Sequence, residues 1–182
     1  MNALNQLELS VLYAIQDAIG SSFCDTFFSL ITKLGDKGIF WIVLALVLLF
    51  FKKTRKAGTA MAIALILGLC VTNLGIKPLV GRIRPYAADP LIALIIPPES
   101  EFSFPSGHTS TSFECAFVLF AYHKKWGIAA IVLAALIGFS RLYLMVHYPT
   151  DVLAGVLVGA LIAAAACAVG NWIVKKTKMP VL

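Results

Sequence analysis

Two histidines in this chain stand where charge-poor segments begin, and one of them has a carboxylate close by in sequence. His147 is followed four residues later by Asp151, with Tyr148, Pro149 and Thr150 between them. Proline suits the first turn of a helix, so the spacing predicts His147 just ahead of a helix and Asp151 within its first turn, near enough to accept the imidazole N–H. A carboxylate that fixes one tautomer leaves the other ring nitrogen free to act as nucleophile or base. His108 ends the segment Phe104-Pro105-Ser106-Gly107-His108, which opens an apolar run. A helix N-terminus is expected there, offering free N–H groups and the positive dipole end to an anion. Gly107 lets a ligand approach the backbone, and the Ser106 hydroxyl can cap the helix and bind at once. Two histidines suit two tasks, one attacking phosphorus and one protonating a leaving oxygen.

Three fixed cations, Lys77, Arg84 and Arg141, lie at the ends of apolar runs, with Asp151 as the one nearby acid. That positive excess calls for an anionic ligand, and guanidinium matches the oxygens of phosphate. Snorkelling anchors would explain any one of these cations, but the cluster less well. Glu99 and Glu101 are expected to be solvated, or else to tune His108. His123 adjoins Lys124 and Lys125 and reads as a loop residue without a catalytic part.

These residues need elements to hold them, and the composition says what kind. The chain is 60% hydrophobic and 13% charged, with a mean hydropathy of +0.90. Such a chain is too apolar for a soluble domain and has lipid as its main solvent. Six charge-poor runs, Thr26 to Thr32, Gly38 to Phe51, Ala57 to Ile76, Ser106 to Tyr122, Trp126 to Ser140 and Val152 to Val174, predict an all-α polytopic bundle of six membrane helices. Residues 1–20, with Leu4, Leu7, Val11, Leu12, Ile15 and Ile19 at helical spacing, predict an amphipathic helix in the interface. The whole chain, 1–182, is read as one domain: that helix, a six-helix core over 21–175, and a cytoplasmic tail over 176–182. Gly155 and Gly159 are read as helix-packing residues. The four cysteines, Cys24, Cys70, Cys115 and Cys167, lack the spacing of a zinc site or disulfide framework and read as small buried hydrophobes.

The net charge of +6 arises from Lys and Arg placed between apolar runs, a pattern of membrane loops and not of nucleic-acid binding. Six spans would put Lys52, Lys53, Arg55, Lys56, Lys124, Lys125, Lys175, Lys176 and Lys178 on one face, nine in all, against Lys33, Lys37, Lys77, Arg82, Arg84 and Arg141 on the other. The first face is then cytoplasmic, and the chemistry faces the periplasm or cell exterior.

Three motifs, K-x6-R-P from Lys77 to Pro85, P-S-G-H from Pro105 to His108, and S-R-x5-H-x3-D from Ser140 to Asp151, occur complete and in order. In these the sequence resembles the type 2 phosphatidic acid phosphatase superfamily. The resemblance implies a phosphohistidine at His147, oriented by Asp151, with His108 protonating the leaving group and then activating water. It implies phosphate binding by Lys77, Arg84, Ser106, Gly107 and Arg141, and no metal or cofactor. Its small size and outward site resemble bacterial inner-membrane members acting on undecaprenyl pyrophosphate. Phosphatidylglycerophosphate, phosphatidate and diacylglycerol pyrophosphate stay open as substrates, as does a non-enzymatic reading as a small anion transporter or channel. The apolar stretch Leu91 to Ile96 would be either a lateral entrance for a lipid tail or a packing segment.

Overall fold

The structure is a computed structural model that describes residues 3–177. Its regular elements are helical, and no strand occurs among the described residues. In order they are α1 (Ala3–Ile19), α2 (Ser22–Lys33), α3 (Ile39–Phe50), α4 (Arg55–Gly68), α5 (Lys77–Val80), α6 (Pro85–Ala88), α7 (Gly107–Tyr122), α8 (Lys124–Tyr143) and α9 (Pro149–Thr177). A π-helical stretch, Leu69–Ile76, joins α4 to α5, and a single 3-10 turn, Asp36–Gly38, precedes α3. Of the expected tail over 176–182, residues 178–182, including Lys178, lie outside the described residues.

All six apolar runs are helical but for the end residues Gly38, Phe51 and Ser106, and the helices are unequal. Only Arg55–Ala88, Lys124–Tyr143 and Pro149–Lys176 are long and apolar enough among the described residues to cross a bilayer by themselves. The helices α2 and α3 have 12 residues each and α7 has 16, short of the roughly 20 a span needs. For α7 the packing gives the reason. It lies at the centre of the bundle against α3, α4, α8 and α9. Thr109, Ser110, Ser112, Phe113, Cys115, Ala116 and Val118 on it are all buried, so up to its last turn, where Phe120 is exposed, it has no lipid-facing side to fill with leucine. The outer faces of α3, α4, α8 and α9 do expose large apolar side chains, among them Leu46, Ile66, Val132 and Leu157, as a bilayer-facing surface must.

Close helix approach depends on glycine. A Cβ at Gly155 would lie 2.9 Å from the Ser106 carbonyl oxygen, and one at Gly159 2.8 Å from that of Ser110. The pair therefore seats α9 against α7, in line with its reading as a packing device. On the opposite side of α7, a Cβ at Gly68 would come within 2.4 Å of both carboxylate oxygens of Glu114. Glu114 is fully buried, and neither oxygen has a hydrogen-bond partner.

The N-terminal helix runs over almost the expected residues. Leu4, Leu7 and Val11 are exposed along one side, while Glu8, Leu9 and Leu12 are buried on the other. Leu9 and Leu12 pack with Ile92, Met145 and Tyr148, so α1 is docked on the bundle above the start of α9. Ile92 is buried in that cluster, and Leu94 and Ile96 pack against neighbouring core residues. Within Leu91 to Ile96, then, Ile92, Leu94 and Ile96 pack on the bundle while Leu91 and Ile95 stay exposed.

Candidate active site

The chain reverses sharply between helices at one end of the bundle, and these turns carry the ionisable side chains. Gly81, in the left-handed region at φ +60°, ends α5. It turns the chain into a short extended run that presents Arg82 and Arg84 inward, a turn that costs glycine little strain. Pro149 begins α9, and Asp151 lies in its first turn. Ser106 caps α7, its hydroxyl accepting from the Thr109 N–H and from the Thr109 hydroxyl at 2.9 Å. The Ser106 N–H donates to the Asp151 carbonyl at 3.0 Å, which ties the start of α7 to the start of α9.

His147 is almost wholly buried, and its two ring nitrogens have different neighbours. Nδ1 lies 3.5 Å from Asp151 Oδ2 and 3.4 Å from Ser103 Oγ. That separation is longer than a direct hydrogen bond, and Ser103 spans it by donating to Asp151 Oδ2 at 2.5 Å. Nε2 lies 3.2 Å from Arg84 Nη1. A guanidinium can only donate, so Nε2 is the unprotonated nitrogen and the proton sits on Nδ1. Burial, and then the Arg84 and Arg141 guanidiniums, push the His147 imidazole well below its ordinary pKa, keeping it neutral.

Four of the expected residues, Arg84, Arg141, His147 and Asp151, come together, and His108 faces the same charges from α7. Arg141 and Glu99 lie close enough to both imidazoles to act on each electrostatically. His108 Nε2 is 2.9 Å from Asp36 Oδ1, a partner from the turn before α3. Lys77 reaches the other side of the site beside Gly107, where an added Cβ would lie 3.4 Å from Nζ. Ser106 is fully buried and engaged in capping. His123 follows α7 at the other end of that helix, stacked near Trp126.

The expectation of a solvated Glu99 is corrected here, and with it the supposed excess of uncompensated cations, whereas Glu101 is exposed as expected. Glu99 bridges two of the expected phosphate ligands: Oε2 lies 2.6 Å from Arg84 Nη2 and Oε1 pairs with Arg141. Glu101 pairs with Lys77. All three cations thus hold carboxylates of one loop where they would hold a phosphate. Burial acts to raise the Glu99 pKa, but Arg141 and Arg84 prevail and hold it down to about 2. The cause is attraction at short range, since sequence distance hides that residues 84, 99 and 141 meet.

Beside this cluster a cavity of about 610 Å³ runs from His108, Lys77 and Glu99 past Asn73 to Ile42, Leu65 and Leu69. Its polar end is formed by Asp36, Lys77, Glu99 and His108, and its apolar end lies between α3 and α4, away from Leu91 to Ile96.

Comparison with known proteins settles the family. The sequence model of the PAP2 superfamily matches residues 56–175, well over half of the chain. The chain belongs to the PAP2 superfamily. A protein from Bacillus licheniformis named bacitracin transport permease protein BcrC is 36% identical over 132 residues, covering 71% of this chain and 65% of that protein. An undecaprenyl-diphosphatase from Sulfolobus acidocaldarius is 34% identical over 134 residues, covering 73% and 64%. The matched stretch thus spans slightly less than two thirds of these relatives. A crystal structure of the transmembrane PAP2-type phosphatidylglycerolphosphate phosphatase from Bacillus subtilis superposes with a TM-score of 0.76 at 28% identity, over 95% of this chain and 89% of that one.

Every residue expected to form the PAP2 site lies inside the matched stretch. Two that contact it, Glu8 and Asp36, lie outside it, and Ser103 and Arg82 lie inside it without having been singled out. Glu8 did carry a signal, being an acid within a helix whose other residues are mostly apolar. Asp36 carried none, since its distance from His108 along the chain exceeds any local pattern.

Proposed function

We propose that this PAP2 protein is a membrane-embedded lipid phosphatase that works through a phosphohistidine on His147. The observation that carries the reading is the His147 imidazole, neutral and buried, with Nδ1 turned to Asp151 and Ser103 and Nε2 turned to Arg84. A phosphate that displaces Glu99 would place its oxygens against Arg84 and Arg141, with Lys77 and the N-terminus of α7 at Gly107 on the far side. Nε2 then attacks phosphorus, the bond to the leaving oxygen breaks, and His108 delivers its proton to that oxygen. In the second step His108 takes a proton from water, whose oxygen attacks phosphorus and releases the histidine. Asp151 balances the positive charge that His147 carries between the two steps, and the three cations neutralise the equatorial oxygens. The residues supply both proton transfers and all the charge stabilisation, so the reaction proceeds without a metal.

The apolar end of the cavity, at Ile42, Leu65 and Leu69, supports a lipid substrate whose tail stays between α3 and α4. Among lipids we favour a polyprenyl diphosphate, here undecaprenyl pyrophosphate, with phosphatidylglycerophosphate second. The names of the relatives and the outward placement inferred from the loop charges support this order. The six helices then all cross the inner membrane, the short ones at a thinned or tilted boundary, with the site on the periplasmic side. One relative bears a permease name, and anion transport is the alternative. A His–Asp pair with a tautomer fixed toward the cations favours hydrolysis.

The test is phosphate release by purified protein. Wild type is expected to remain active in EDTA, whereas His147→Ala folds but releases none. Loss of activity in EDTA would overturn the metal-free mechanism, and full activity of the variant the nucleophile. Comparable rates on undecaprenyl pyrophosphate, phosphatidylglycerophosphate, phosphatidate and diacylglycerol pyrophosphate would overturn the substrate preference.

A further inference from the structure

Asp151 is held by more than His147, and the additional restraint comes from the far end of the chain. Its Oδ2 accepts from Ser103 at 2.5 Å and from the Tyr148 N–H at 2.9 Å, while Oδ1 accepts from Arg82 Nη1 at 2.6 Å. The Arg82 guanidinium is itself fixed on every side. It stacks 3.9 Å over the Tyr148 ring, donates through Nη1 to the Thr150 hydroxyl at 2.8 Å, and donates through Nη2 to Asn5 Oδ1 at 2.7 Å and Glu8 Oε2 at 2.5 Å. The second Glu8 oxygen accepts from the Thr150 N–H at 2.8 Å and from the Thr150 hydroxyl at 2.7 Å. A carboxylate from α1 therefore caps the first turn of α9, the helix that carries Asp151, and neutralises the cation that grips Asp151.

We propose that Glu8 and Arg82 are positioning residues for the His147–Asp151 pair, so that α1 is a working part of the active site. The proposal rests on the phosphatase reading above. It assigns a task to two groups of opposite charge arranged in series. Arg82 orients Asp151 and offsets part of its charge, and Glu8 orients Arg82 and offsets part of its charge in turn. The consequence for His147 has a sign. Arg82→Gln leaves Asp151 less compensated and makes the imidazolium easier to form. Glu8→Gln leaves Arg82 more strongly positive and makes it harder to form. The other charged groups facing His147, namely Arg84 in the turn after α5, Arg141 on α8, His108 on α7, Asp151 on α9 and Glu99 in the loop before α7, are the same in both variants.

A clip that only fastens α1 to the bundle would behave differently. Removing either end would loosen the fold in the same sense and leave His147 titration alone. The experiment compares the full-length protein in detergent micelles as wild type, Glu8→Gln, Glu8→Asp, Arg82→Gln and Arg82→Lys. The chain has three histidines, so the His147 ring resonances can be assigned by their loss in His147→Asn and followed by NMR against pH without substrate. The expected result is a His147 midpoint displaced upward in Arg82→Gln and downward in Glu8→Gln, with both charge-conserving variants near wild type even where their thermal midpoints fall. Turnover on a lipid monophosphate should drop about tenfold in kcat for Glu8→Gln with KM within about twofold, and Arg82→Lys should retain more kcat than Arg82→Gln. Displacement of both midpoints in one direction, or of neither, overturns the proposal. Should the charge-removing variants not fold, a His147 midpoint clearly displaced from wild type in Glu8→Asp or Arg82→Lys also overturns it. Opposite displacements in the two variants of a protein whose wild type releases no phosphate would uphold the linkage and refute the phosphatase reading.

Discussion

Replacing Glu99 by glutamine should make the site a much better receptor for inorganic phosphate. In the wild type the carboxylate lies 2.6 Å from Arg84 Nη2 and pairs with Arg141, and these cations hold its pKa down from 4.5 to about 2. At about 1.4 kcal/mol per pH unit the difference corresponds to ~3 kcal/mol in favour of the ionised form. The side chain is 27% exposed, and solvent screening reduces the usable part to roughly 2 kcal/mol. A phosphate entering the wild-type site must overcome that attraction, so Glu99→Gln should tighten phosphate binding roughly 10- to 100-fold. The same pair contributes to stability with a definite pH window. Because the folded-state pKa is lowered, the contribution is fully present above about 4.5 and is lost as pH falls toward about 2. At neutral pH the variant should therefore melt below wild type without phosphate, since Arg84 and Arg141 are left facing each other, and gain more on its addition. Thermal unfolding in detergent across a phosphate series measures both effects, with calorimetry for affinity. Equal phosphate affinity in variant and wild type would refute the idea that Glu99 occupies the phosphate's place.

Three further outcomes follow from the geometry. Burial and the Arg84 and Arg141 guanidiniums push His147 well below its ordinary 6.5, and the proposed mechanism uses the neutral ring as nucleophile, so kcat/KM should persist as pH falls through 6.5 and be lost only at lower pH. A limb centred at 6.5 or above in the free enzyme would contradict it. Gly68→Ala should destabilise the fold by about 1–3 kcal/mol, because the new Cβ meets both Glu114 oxygens at 2.4 Å. Adding Glu114→Ala should restore the loss, as a double-mutant cycle in chemical denaturation would measure. Leu69→Trp, at the apolar end of the cavity, should raise KM for a long-chain lipid phosphate severalfold and leave a small soluble phosphate ester unaffected. An equal effect on both would place the tail elsewhere.

The helical class and the principal cations and histidines were legible because each depends on short-range signals. Pro149 sets Asp151 in a first turn, Pro105 and Ser106 mark the start of α7, and charge-poor runs mark helices. The sequence could not show that residues 84, 99 and 141 converge, so Glu99 read as solvated when it is the counter-ion of two arginines. The same blindness to tertiary contact hid Arg82, which looked like one more loop charge although it contacts both Glu8 and Asp151. Helix environment was hidden for a different reason. The central position of α7 frees it from the need to be apolar all round, and no pattern along the chain distinguishes an enclosed helix from a lipid-facing one. Within Leu91 to Ile96, the packing of Ile92 became visible only once Met145 and Tyr148 were seen beside it.

The hydrogen bonds from Thr150 to Glu8 join residues 142 positions apart. In synthesis, α1 leaves the ribosome well before its polar partner at the head of α9, and in that interval Arg82, which precedes α9, is the Glu8 partner already made. The set of contacts around Asp151 is therefore complete only once α1 has docked against α9 across this long loop.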